Sequence, residues 1–342
     1  MPQSCKTAHA RSTATLAVVA VLALSSSAFA EGPSPYVMKL GTATVNDHQH
    51  EWLKPFAAAV EKDSGDRIKA EIYPASQLGP IPREIEGVQF GSIQGWIGPP
   101  EFLAGIDHRY EALSAPGLFA SQAQAARTLN DAPVRNLMLG LGADKGLAGV
   151  GIYSVGPSSI IVRKPVRHVT EFKGMKIRVL ASPFQLEMIK RIGASPVAMT
   201  LADVLPALQQ GAIDGALGTM PIYTTMHYQD AAKYVVEIGQ PWISVIAVLS
   251  EKWLDGLPSG LQQIVRDDAA TITAQISPFV NDFFAAQRKA WSGAGGETIK
   301  LPAAEQAALV ARISSIGDDL SKDKPDLNKA IGLVFESAAR NK

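Results

Sequence analysis

The chain predicts an α/β protein of two lobes, on three observations. Short apolar strand patterns alternate with helical ones along most of the sequence, and that alternation implies sheets flanked by helices. A length of 342 residues is enough for two lobes. The second half repeats the order of elements found in the first. Folds of this kind hold ligands at the carboxyl ends of their strands.

The N-terminus precedes that pattern. Lys6 and Arg11 flank a wholly apolar stretch, Leu16 to Leu24, and Ala28-Phe29-Ala30 follows as a small-x-small cleavage signal, so residues 1–30 read as a secretory signal peptide. The apolar run is about nine residues, short of the roughly 20 that span a bilayer, and no later run is longer. A periplasmic protein that is not itself membrane-spanning is expected. The only cysteine, Cys5, lies ahead of the apolar run, which leaves the mature chain without a disulfide or a thiol. Removing Lys6 and Arg11 takes two from 32 basic residues and none from 32 acidic ones, for a net charge of about −2. Nucleic acid is not an expected partner, since no basic patch or stripe occurs.

The elements follow in order. Tyr36 to Ala43 is a strand; His48 to Ser64 is a helix with Trp52, Phe56 and Val60 on one face and Gly65 as its stop; Arg67 to Tyr73 alternates as a strand. Pro82 to Gly91 reads as a short helix and Ile93 to Ile97 as a strand closed by Gly98-Pro99-Pro100. A helix near Gln122 to Leu141 leads to the strand Ala148 to Tyr153. Ser159 to Arg163 and Lys176 to Leu180 are strands, and Phe184 to Ile192 is a helix stopped by Gly193. Ala202 to Gln210 is a helix stopped by Gly211, Ile213 to Leu217 a strand, and Trp242 to Leu249 an apolar run. Last comes Ser259 to Ala290, about 32 residues of helical spacing that Pro278 should kink.

Arg178 stands out inside this pattern. It lies out of phase with Ile177 and Val179, near the carboxyl end of its strand. Ser182 is a candidate N-cap and Pro183 a first helical residue, so free N–H groups and the positive end of a helix join the guanidinium in an anion site. The bland alternative is a structural salt bridge or a surface arginine.

The surrounding motifs, KIRV, IGASPVAM, ADVLPALQQG and IDG, resemble the solute-binding subunits of tripartite ATP-independent periplasmic (TRAP) transporters of the DctP type. IYPASQLGPIPREIEGVQFGSI resembles that family's first-lobe segment, FKGMKIR its approach to the arginine strand, and AAKYV (231–235) its later tyrosine helix. The resemblance implies a two-lobed periplasmic binding protein, type II-like, each lobe a mixed sheet flanked by helices. The lobes expected are 31–155 with 243–283, and 156–242 with 284–342, with the ligand cleft between them. It further implies a binding protein rather than an enzyme, with no cofactor. A small organic acid would be captured and delivered to the TRAP membrane subunits, its carboxylate paired with Arg178. A planar guanidinium that donates two parallel hydrogen bonds suits that partner.

Two departures from the family's pattern shape the expected ligand. Gly156-Pro157-Ser158 stands where many members have glycine-x-arginine, and Leu217-Gly218-Thr219 where many have glutamate-asparagine-proline. Loss of a cation and an amide favours a monocarboxylate with an apolar or hydroxylated body over a dicarboxylate. Ser158, Gly218 and Thr219 thereby become pocket candidates.

Other candidates rest on position. Asn46 either caps the first helix or touches ligand; Trp96, Pro100, Glu101 and Phe102 follow a strand and wall the cleft or stiffen a turn. Leu201 falls where relatives place an aromatic pocket residue, and Phe184 opens the helix after Arg178, with core packing the alternative for both. A rival reading takes Asp47, His48, His50 and Glu51 as zinc ligands of a secreted hydrolase. Ligands two apart face different sides of a helix, which argues against it, and no metal is expected. A receptor for an ABC importer shares the two-lobed architecture but not these motifs.

Overall fold

The computed structural model describes residues 35–342, so the expected leader, with Cys5 and the cleavage signal, lies outside the described residues. The order is β1 (Tyr36–Gly41), α1 (His48–Asp63), β2 (Ile68–Tyr73), α2 (Ile81–Phe90), β3 (Gly95–Gly98), α3 (Gln122–Asn130), α4 (Ala132–Gly140), β4 (Leu147–Pro157) and β5 (Ser159–Val162). Then come β6 (Lys176–Val179), α5 (Pro183–Ile192), β7 (Ser195–Ala198), α6 (Val204–Gln210), β8 (Gly215–Gly218), α7 (Met220–Thr225), β9 (Tyr234–Glu237) and β10 (Trp242–Ser250). α8 (Glu251–Asp255), α9 (Ser259–Gly293), β11 (Glu297–Lys300), α10 (Ala303–Ser314), α11 (Ile316–Ser321) and α12 (Pro325–Arg340) complete the chain.

Two mixed sheets result, ordered β2-β1-β3-β10-β4 and β11-β9-β5-β8-β6-β7. In the first, β1 runs parallel to β2 and β3, while β10 is antiparallel to β3 and β4. In the second, β6 is parallel to β7 and β8, and β5 antiparallel to β8 and β9. The chain passes from the first sheet to the second between β4 and β5, where Ser158 alone separates the strands, and returns between β9 and β10.

Helix α9 ties the sheets together. Its buried residues Leu261, Val265, Ala269, Ile276 and Val280 share a core with Trp52, Phe56 and Val60 of α1, and the Trp52 indole donates to Thr273 Oγ1 at 3.1 Å. At its far end Trp291 is buried in the core of the second sheet with Ile161, Val204 and Tyr223. At about 1.5 Å per residue, its 35 residues are long enough to serve both cores. The helix continues through Pro278 as one element.

Local chemistry accounts for the departures from the sequence pattern. The helix expected at 122–141 divides at Asp131, because Pro133 has no N–H to extend the ladder and instead sits in the first turn of α4. The stretch 231–235, expected as a helix, leads into β9, whose buried Val235 and Val236 pair with β5 on one side and β11 on the other. Strands β7 and β11 and helices α10 to α12 do not figure among the expected elements, although the buried residues of α12, Leu327, Ala330, Ile331, Val334 and Ala338, recur at helical spacing. The last helix returns to the first sheet's helices: Ser337 Oγ donates to Asp131 at 2.5 Å and Gln124 Nε2 to the Ala338 carbonyl at 2.8 Å.

Candidate functional site

Strands β1, β3, β6 and β8 all point their carboxyl ends at one cavity of about 70 Å³, where residues of both sheets meet. From the second sheet come Arg178, Leu201, Gly218 and Thr219; from the first come Trp96 and Phe102. These six sequence candidates are brought together.

Arg178 lies mid-sheet between β7 and β8, opposite Val197 and Ala216, and is 3% exposed. Its Nε and Nη2 both donate to the Met199 carbonyl at 3.1 Å, and no carboxylate pairs with it among the described residues. Burial holds its pKa below the ordinary arginine value, the signature of a cation removed from water without a counter-charge. Tyr223 and Tyr228 flank it. Their hydroxyls donate to the carbonyls of Ser159, at 2.6 Å, and Leu201, at 3.2 Å, and burial raises both phenols' pKa. Among the described residues lining the cavity, Arg178 is the sole Arg or Lys, and none is Asp or Glu. The structural salt bridge that sequence alone allowed is therefore not what this arginine makes.

The other six candidates do not line the cavity, and each has a local task. Asn46 takes a left-handed φ of 53° and its backbone N–H donates to His50 Nδ1; the N-cap of α1 is Asp47, which accepts from the Gln49 and His50 amides. Pro100 and Glu101 are buried in a short 3₁₀ turn, where Glu101 accepts a 2.6 Å hydrogen bond from Ser114. Ser158 is buried at the crossing between sheets, its hydroxyl donating to the Gln240 carbonyl at 2.7 Å. Ser182 caps α5 through the Gln185 amide and donates to Glu111 at 2.8 Å. Phe184 packs in the core with Ile177 and Met188.

The sequence does not mark Thr44, Gln49, Gln185 and Tyr228, and offers His48 only as a zinc ligand, yet all five line the cavity. A signal existed for three of them: Thr44, His48 and Gln49 follow the carboxyl end of β1, where ligand contacts are expected. Tyr228 arrives after His227, at a left-handed φ of 57°, in a turn with no periodic pattern to place it.

The residues proposed as zinc ligands scatter. Asp47 caps the helix, His48 enters the cavity, His50 Nδ1 accepts from Asn46 N–H, and Glu51 pairs with Lys54. Among the described residues, no group of three or more His, Cys, Asp or Glu side chains is placed to hold a metal ion.

Residues 41–323 match the pattern of the bacterial extracellular solute-binding protein family 7, DctP. The uncharacterized protein YiiZ of Salmonella typhimurium is 29% identical over 264 residues, 77% of this chain and 78% of that protein. The 2,3-diketo-L-gulonate-binding periplasmic protein YiaO of Escherichia coli is 26% identical, covering 65% of this chain and 68% of its own. A TRAP periplasmic solute-binding protein of Desulfovibrio salexigens, solved with orotic acid, superposes with a TM-score of 0.85 at 23% identity, over 90% of this chain and all of that one.

Proposed function

The chain belongs to bacterial extracellular solute-binding protein family 7, the solute-binding subunits of TRAP transporters, and from that premise we propose that it captures a small monocarboxylate through Arg178. Family members bind small carboxylates without transforming them, work with membrane subunits, and are periplasmic. Among the described residues no helix is long and apolar enough to cross a membrane. Delivery to TRAP membrane subunits from the periplasm is the role this chain takes in that scheme.

One observation carries the ligand assignment: the cavity's single charged side chain is a buried arginine with no acidic partner among the described residues. A carboxylate supplies the missing charge and accepts from the guanidinium edge that Met199 leaves available. A dicarboxylate brings a second charge that none of the described lining residues neutralises, and burying it unpaired costs more than the contact returns. The name of YiaO fits an organic-acid ligand.

The two sheets make the halves of a hinged receptor, the first with 35–155, 243–283 and the returning helix α12, the second with 156–242 and the chain from 284 through α11. The connections after β4 and before β10 carry the motion, since ligand touching both walls favours the closed state. Protein stripped of ligand by unfolding and refolding, then titrated calorimetrically with mono- and dicarboxylates of matched length, tests the assignment. Monocarboxylates should bind at least about tenfold tighter. Tighter binding of dicarboxylates would overturn it.

A further inference from the structure

His48 begins α1 on the wall opposite Arg178's sheet and is 2% exposed, yet among the described residues neither its Nδ1 nor its Nε2 has a hydrogen-bond partner. Its acidic neighbour is already engaged. Asp47 Oδ1 accepts from Thr44 Oγ1 and from the Gln49 and His50 amides, and Oδ2 accepts from Gln49 Nε2, leaving 3.6 Å between Oδ2 and His48 Nδ1. Burial keeps the imidazole pKa below its ordinary value, with Asp47 opposing more weakly, so the ring is neutral at pH 7. The ring is held in place nonetheless. Tyr153 donates its hydroxyl to the His48 carbonyl at 3.1 Å and packs edge-on to the imidazole, with centroids 6.3 Å apart. A positioned, neutral imidazole that faces the ligand cavity presents one donor and one acceptor.

Resting on the carboxylate reading above, we propose that His48 hydrogen-bonds a hydroxyl on the body of the ligand, so that the site selects hydroxy acids over their deoxy analogues. The lining residues narrow the second polar group to a hydroxyl. An ammonium group needs an acidic side chain, and none of the described residues lining the cavity is acidic; a second carboxylate needs a second cation, and Arg178 is the sole Arg or Lys among them. A hydroxyl both donates and accepts, so it serves the imidazole in either tautomer. Thr219 Oγ1 on the facing wall is also buried without a partner among the described residues and can take the hydroxyl's remaining bond. A deoxy acid that displaces solvent from His48 leaves the buried ring unpaired, a loss of about 10- to 100-fold in affinity.

The test uses pairs of straight-chain monocarboxylates of roughly three to six carbons, a size range suited to so small a cavity, each with and without one hydroxyl. Calorimetry on the ligand-stripped wild-type protein should find at least one hydroxy acid about 10- to 100-fold tighter than its deoxy partner. In His48→Phe, which keeps a ring and removes its nitrogens, the ratio should fall below about threefold. A ratio that survives in His48→Phe overturns the proposal. So does a wild type that binds the acids with no hydroxyl preference, although that outcome leaves the Arg178 assignment standing. If no monocarboxylate binds the wild type, the Arg178 assignment fails and this inference fails with it. Nitrogen NMR of the wild type labelled in its imidazoles removes any dependence on the variant folding. The His48 ring resonances should shift with a hydroxy acid and stay put with its deoxy partner; equal shifts for both would overturn the proposal.

Discussion

The two walls of the cavity differ in chemistry. The second sheet supplies the charge, with Arg178 between two tyrosines, whereas the first supplies Trp96, Phe102, Gln49 and a neutral His48. Charge on one wall and shape with hydrogen bonding on the other separates two jobs. The acid end of a ligand is caught by one lobe, and its body is inspected when the other closes. The difference also teaches which kind of site residue a sequence exposes.

Removing the charge should produce the largest effect. Arg178→Ala is expected to weaken monocarboxylate binding by roughly 30-fold to several thousand-fold, and Arg178→Lys nearly as much, because a point charge on a flexible stem cannot replace the two-pronged contact. The ligand-free protein should melt within a few degrees of wild type, since no ion pair is broken. Scanning calorimetry together with titration checks both, and a large drop in melting temperature with normal affinity would return Arg178 to a structural role.

A subtler change on the same wall should separate stability from binding. Thr219→Val removes a buried hydroxyl that has no partner among the described residues while keeping the side chain's volume. Ligand-free stability should hold or rise, and hydroxy-acid affinity should fall about tenfold. Reduced stability with unchanged affinity would take Thr219 out of the ligand's reach.

Away from the cavity, pH provides another handle. Glu111 accepts from Ser182 at the start of α5, and burial, reinforced by neighbouring Glu101 and opposed by that hydrogen bond and by Lys324, pushes its carboxyl up to about 8. Its folded pKa thus exceeds the unfolded value of about 4.3. The folded state holds more protons between those values, so this group's stabilisation is complete below about pH 4 and is lost as pH rises through about 8. Melting temperature should decline from pH 5 to pH 8, and Glu111→Gln should flatten that decline. Parallel curves for the two proteins would mean that Glu111 ionises alike in both states.

The smallest effect belongs to Ser182→Ala, which deletes the α5 cap and the Glu111 contact. About 1 kcal/mol of stability should be lost, with affinity changed only a few-fold. Denaturant titration reads the first quantity and calorimetry the second. A loss of binding as large as that of Arg178→Ala would make Ser182 a ligand contact.

The walls were unequally legible in the sequence. An arginine within KIRV, followed by Ser182 and Pro183, announces itself because a charge in an apolar strand and a cap-plus-proline helix start are local patterns. His48 gave no such sign. In NDHQHEW the first six residues are all polar, and only the path of the chain after β1 turns His48 inward and leaves His50 half-buried. Ser158 misled for the opposite reason: its position at the crossing invites a pocket role, but the Gln240 carbonyl on the neighbouring crossing takes its hydroxyl. Strands, helix caps and glycine stops follow from short-range chemistry, and the early elements matched accordingly. Tyr228 and the packing of α12 against α3 and α4 depend on contacts distant in sequence, which no local pattern encodes.

Comparing an acid with its own amide tests the central claim most directly, because the two share size and shape and differ in charge. Titrated into wild type and Arg178→Ala, a bound monocarboxylate and its primary amide should differ by about 30-fold to several thousand-fold in the first protein and by less than about tenfold in the second. An acid-over-amide preference that persists undiminished without Arg178 would contradict the account.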